Sequence, residues 1–65
     1  MRIRLDDHWV ERLLRWPESG MGYQRVDVRF VDGRELKDVP VFNAEEIELP
    51  DEVAPLRIAD LELHR

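Results

Sequence analysis

Apolar and polar residues alternate most clearly between Tyr23 and Asn43, where the chain reads YQRVDVRFVDGRELKDVPVFN. Two runs rich in β-branched residues lie on either side of Asp32-Gly33, and an Asp-Gly dipeptide in that setting is a strong short-range hairpin signal. The spacing predicts a first strand over about 23–31, with Val26, Val28 and Phe30 on the core side and Arg25, Asp27 and Arg29 facing outward. A second strand follows over about 34–43. Its apolar residues Leu36, Val39 and Val41 break strict alternation, and one extra residue near Lys37-Asp38 restores the phase, which is the count of a β-bulge. Pro40 cannot donate a ladder hydrogen bond, so this part of the strand is expected at an edge or at the bulge.

The flanking segments follow other periods. Met1, Ile3 and Leu5 alternate with Arg2 and Arg4 as in a short strand, and acidic residues around Leu61 and Leu63 make the C-terminal run its expected partner. From Asp6 or Asp7 the apolar positions Trp9, Val10, Leu13, Leu14 and Trp16 form a helical stripe. The two aspartates suit the helix start, where a carboxylate accepts free backbone N–H groups. Pro17 disfavours helical geometry at Trp16 and stops the helix. Glu18 to Gly22 then reads as a flexible connector. Ile47 and Leu49 indicate a third strand ended by Pro50, residues 56–60 a single helical turn, and residues 61–64 a last strand. The expected fold is α+β and mainly β, one domain over 1–65: an N-terminal helix followed by a small antiparallel SH3-like barrel or curved sheet of four to five strands.

Two parts of the chain carry a family resemblance. VDVRFVDGRELKDVPVFN, from Val26 to Asn43, and IADLEL, from Ile58 to Leu63, resemble the small SH3-like barrels, including the Sm-like subgroup, over about two-thirds of the chain. The first run is similar to the opening Sm-type hairpin, with its hydrophobic strand, DGR tip and bent partner. The chain also resembles short uncharacterised bacterial proteins ending in a similar aspartate-bearing turn and strand. The resemblance implies a barrel more than it implies RNA binding: Ile58 to Leu63 lacks the glycine of the second Sm motif, and Ala44-Glu45-Glu46 would repel phosphate where Asn43 resembles the polar residue of the first.

Composition narrows the function classes. The chain has 65 residues, 43% hydrophobic and no cysteine, so it is globular in character and disulfides are excluded. A core this small supplies only about 3–5 kcal/mol, and a partner subunit would add to it. No apolar run nears the roughly 18 residues of a membrane span, and MRIRLDDH lacks the apolar centre of a signal peptide, so a soluble cytoplasmic protein is expected. A formal charge of −5 opposes binding held mainly by phosphates, since that mode depends on Lys and Arg releasing counterions.

Asp6-Asp7-His8 with His64 has the residue types of a metal site, but consecutive residues at a helix start rarely converge, and capping explains the aspartates. His64 is expected to be solvated, and neither metal nor cofactor is assigned. Glu45, Glu46, Glu48, Asp51 and Glu52 read as edge-protecting charges rather than as an acid–base pair. No catalytic residue emerges. Trp16 and Tyr23 flank the connector and, if exposed together, form a shallow recognition site for a peptide or a second subunit. Arg25 and Arg29 share an outward strand face and are candidate partner-binding residues beside them. The leading expectation is a non-enzymatic interaction module that binds a protein partner or its own copy as a homodimer. The alternative is an Sm-like nucleic-acid binder using Arg25, Arg29, Arg34 and Lys37.

Overall fold

A computed structural model describes all residues, 1–65. Its elements are β1 (Arg2–Arg4), α1 (Asp7–Leu14), β2 (Tyr23–Phe30), β3 (Glu35–Phe42), β4 (Glu46–Glu48) and β5 (Ile58–Leu63). The strands form one antiparallel sheet in the order β1-β4-β3-β2-β5. The expected mainly β architecture is therefore present, as an open five-stranded sheet that is not closed into a barrel. No helix is long and apolar enough to cross a membrane.

The open edges trace to the choice of partner for β1. It pairs with β4, placing Arg2 opposite Glu48 and Arg4 opposite Glu46, rather than with the C-terminal strand. Opposite charges across neighbouring strands favour pairing in either place. Ile3 opposite Ile47 adds the deciding apolar contact, because Ile47 is fully buried and already faces Val41 of β3. β5 instead lies against β2, and Arg12 of α1 reaches its outer edge, donating to the Leu61 carbonyl at 3.3 Å and to Asp60 at 2.7 Å.

The hairpin tip differs from a two-residue primed turn. The Gly33 N–H bonds to the Phe30 carbonyl at 3.0 Å and the Phe30 N–H to the Arg34 carbonyl at 2.8 Å, leaving Val31, Asp32 and Gly33 as the loop. Only Gly33 in this loop has positive φ, at 96°. This is the pattern of a three-residue loop whose last position needs glycine. Asp32 contributes through its side chain, which accepts the Arg34 N–H at 3.0 Å.

The bulge lies where the broken alternation indicates. Val26 pairs with Val39 and Val28 with Leu36, so Lys37 and Asp38 together oppose Asp27. Asp38 adopts φ 60°, a left-handed conformation that aspartate tolerates better than most residues. The outer side of β3 is only partly covered, since β4 reaches Val41 and Phe42 alone. Pro40 and the bulge occupy the rest of that edge, where each blunts strand addition.

The core gathers Leu5, Trp9 and Leu13 from the N-terminal third with Val26, Val28, Phe30, Val39, Val41, Ile47 and Leu61 of the sheet. On α1 the helical stripe is narrower than its sequence indicates: Trp9 and Leu13 are buried, whereas Leu14 is 70% exposed. Asp6 occupies the N-cap position without a side-chain capping bond, and its backbone carbonyl instead accepts the N–H groups of Trp9 and Val10. The expected helical turn over 56–60 is displaced. Turns instead span Pro50 to Leu56, and Ile58 begins β5 opposite Phe30.

A candidate interaction surface

Gln24 fixes the position of the helix end relative to the sheet. It occupies the core face of β2, in phase with Val26, Val28 and Phe30, and is 3% exposed. Its Nε2 lies 2.9 Å from the Leu13 carbonyl, 3.2 Å from that of Trp16 and 3.3 Å from that of Pro17. These carbonyls lie at the end of the helix, where the intrahelical ladder runs out of donors, and a buried amide group meets them.

An open cleft of about 420 Å³ lies at the helix end, lined by Leu13, Leu14, Trp16, Tyr23 and Ala44 together with the polar residues Glu18, Gln24 and Asn43. Trp16 and Tyr23, the two aromatics expected to form a recognition site, both line it and are half-buried. Met21, at the tip of the intervening turn, is 100% exposed. Hydrogen bonds tie the connector to the strands beside it. The Tyr23 carbonyl accepts the Ser19 N–H at 3.0 Å, Ser19 Oγ accepts the Arg25 N–H at 2.9 Å, and the Gly22 carbonyl accepts the Asn43 N–H at 2.9 Å. The Tyr23 ring lies so close over Gly20 that a Cβ there would sit 2.2 Å from Cε1.

Arg25 and Arg29 lie outside this cleft. Arg25 makes a two-point pair with the Asp38 carboxylate at the bulge. The guanidinium holds the Asp38 carboxyl below its ordinary range, and the carboxylate in turn raises the Arg25 pKa. Arg29 stands opposite Glu35 on one side and Asp60 on the other, and makes no ion pair. Of the remaining cations proposed for phosphate, Arg34 pairs with Asp32 at 3.0 Å and Lys37 approaches Asp27 at 3.9 Å.

Asp27 is the residue that sequence reasoning undervalued. Its Oδ1 accepts the Asp38 backbone N–H at 3.0 Å and lies 2.7 Å from His64 Nδ1. The backbone bond chiefly, with His64 and Lys37 adding to it, lowers the Asp27 pKa against the opposing effect of burial. His64 is thus partly buried and engaged, not solvated as its position near the terminus indicates. No three His, Cys, Asp or Glu side chains converge as a metal-binding group.

No family model matches the chain, and neither a curated protein nor a solved structure matches it.

Proposed function

We propose that this protein is a small non-enzymatic interaction module that binds a protein partner, or a second copy of itself, through the Trp16–Tyr23 cleft. The observation that supports this reading is the placement of Leu14, a large apolar side chain 70% exposed, in one cleft with two half-buried aromatics. Aromatic residues set in a partly desolvated cleft with a polar rim are the usual anchors of protein interfaces. Burying such side chains contributes roughly 25 cal/mol per Å², against the cost of association. A core of this size gains from the added burial.

Light scattering after size exclusion, across a dilution series, tests the self-association branch. A dimer that dissociates on dilution, and that Leu14→Glu converts to monomer, supports it. A strictly monomeric protein removes that branch. A Leu14→Glu protein that keeps every association of the wild type contradicts the cleft as the binding surface.

The Sm-like nucleic-acid reading draws on the helix ahead of the hairpin and on the bulged second strand. Its cations weaken it, because Arg25, Arg34 and Lys37 each face an aspartate that would compete with phosphate. Titration with single-stranded RNA at low salt tests it directly. Absence of binding there rejects the reading, and saturable binding that falls steeply with salt restores it.

A further inference from the structure

β5 is the last strand of the sheet, and its outer edge carries backbone groups that no strand meets. The His64 N–H bonds the Arg25 carbonyl of β2 at 2.8 Å, so alternation along an antiparallel strand turns the N–H and C=O groups of Leu61 and Leu63 away from β2. One side chain reaches that edge. Arg12 Nη1 donates to the Leu61 carbonyl at 3.3 Å and to Asp60 Oδ1 at 2.7 Å, with its guanidinium 4.9 Å from the centre of the Trp9 ring. A backbone acceptor and a carboxylate therefore converge on a single cation. Glu62, the next carboxylate on the same face of β5, is exposed and makes no ion pair. On that face the groove beside β5 sets Asp27, Glu35, Asp60 and Glu62 against Arg29 and Lys37.

We infer that the outer edge of β5 is a strand-addition site for an extended partner segment with Lys or Arg at alternate positions, and that Arg12 holds the edge closed until that segment displaces it. An added strand gains affinity from main-chain hydrogen bonds and selectivity from every second side chain. Here its N–H takes the Leu61 carbonyl, and its cations face Asp60 and Glu62. Arg12 already makes one bond of each kind from within the chain. Its hold is replaceable, because the Arg12 and Asp60 side chains are 45% and 31% exposed and pairs of that kind contribute little. A second copy of β5 is a poor occupant. Antiparallel pairing about Leu61 would set Asp60 of each copy against Glu62 of the other, and like charges directly opposite destabilise a sheet.

The probe is the acetylated and amidated hexapeptide Lys-Val-Lys-Val-Lys-Val, with Glu-Val-Glu-Val-Glu-Val and Lys-Lys-Lys-Val-Val-Val as controls for charge and for alternation. NMR titration of the intact protein, combined with amide exchange, reads affinity and location together. The expected result is saturable binding of the alternating basic peptide, slowed exchange at the Leu61 and Leu63 N–H groups, and weaker binding of both controls. Arg12→Gln removes the internal competitor and is expected to bind the peptide about threefold more tightly. Glu62→Gln, a change at an exposed side chain that leaves Arg12 in place, is expected to bind it about threefold more weakly, and it reads the edge independently of the helix. Equal affinity for the basic and acidic peptides would overturn the inference. So would no saturable binding at millimolar peptide, shifts confined to the Trp16–Tyr23 cleft, or unchanged exchange at Leu61 and Leu63. An Arg12→Gln protein with an unaltered thermal melt that binds no more tightly contradicts Arg12 as the gate.

Discussion

Asp27 Oδ1 accepts the backbone N–H of Asp38 at 3.0 Å, tying one strand of the hairpin to the extra residue of the other. A bulge leaves a backbone donor without its ladder partner, and here a side chain across the sheet supplies the acceptor. The same oxygen meets His64, so one carboxylate joins β2, β3 and the end of β5.

Asp27→Ala is therefore expected to destabilise the fold by about 1–3 kcal/mol, the usual cost of removing a charged hydrogen-bond partner from a partly buried group. Asp27→Asn keeps an acceptor oxygen and is expected to cost less. Urea unfolding of both variants checks the order. Equal midpoints for wild type and Asp27→Ala would show that the bulge holds without this bond.

The two aspartates also set a pH dependence. Asp27 is lowered from its ordinary value of 3.8 chiefly by the Asp38 N–H, and Asp38 from the same value by Arg25. A carboxyl with a lowered folded pKa contributes stability that is complete above its unfolded pKa and is lost as pH falls through the folded one. Thermal melts should hold their midpoint down to about pH 4 on this account and then fall, with the double variant Asp27→Asn/Asp38→Asn showing a shallower fall. An identical acid limb in the double variant contradicts the assignment.

Gln24→Leu preserves size but removes the donor that meets three carbonyls at the helix end. The Leu13 carbonyl keeps the Trp16 N–H, but the partly buried Trp16 and Pro17 carbonyls lose their side-chain donor, at an expected cost of about 1–3 kcal/mol. The loss should be local as well as global. Amide exchange at Arg15 and Trp16, whose N–H groups bond the Arg12 and Leu13 carbonyls, should rise by more than exchange in β2.

The glycines separate two physical effects. Gly33→Ala meets no neighbouring atom but forces a side chain onto φ 96°, at a cost of about 1–2 kcal/mol with the cleft unchanged. Gly20→Ala instead collides with the Tyr23 ring and must push it aside. Ring-proton shifts of Tyr23 should move in the second variant and not in the first.

How far the sequence foretold this fold depended on how local each signal was. The hairpin and the bulge could be read because Val26, Val28 and Phe30 keep a strict phase while Leu36, Val39 and Val41 break theirs by one residue. The helix start at Asp7 was equally local. The partner of β1 was not, because three residues flanked by arginines suit any acidic strand, and burial of Ile47 decides between them. Gln24 offered one unused signal: it is a polar residue in phase with the core face, and such a residue needs a buried partner. Trp16 and Tyr23 could be paired from the sequence because a short connector joins them, whereas the reach of Asp27 to His64 spans 37 residues and has no local signature.

The sheet is open, with β1 on β4 and α1 tied to the free edge of β5. Cross-strand nuclear Overhauser effects measure this directly. The account predicts contacts of Arg2 with Glu48 and of Arg4 with Glu46, whereas contacts linking Ile3 to Leu61 or Leu63 would show a closed barrel and contradict it.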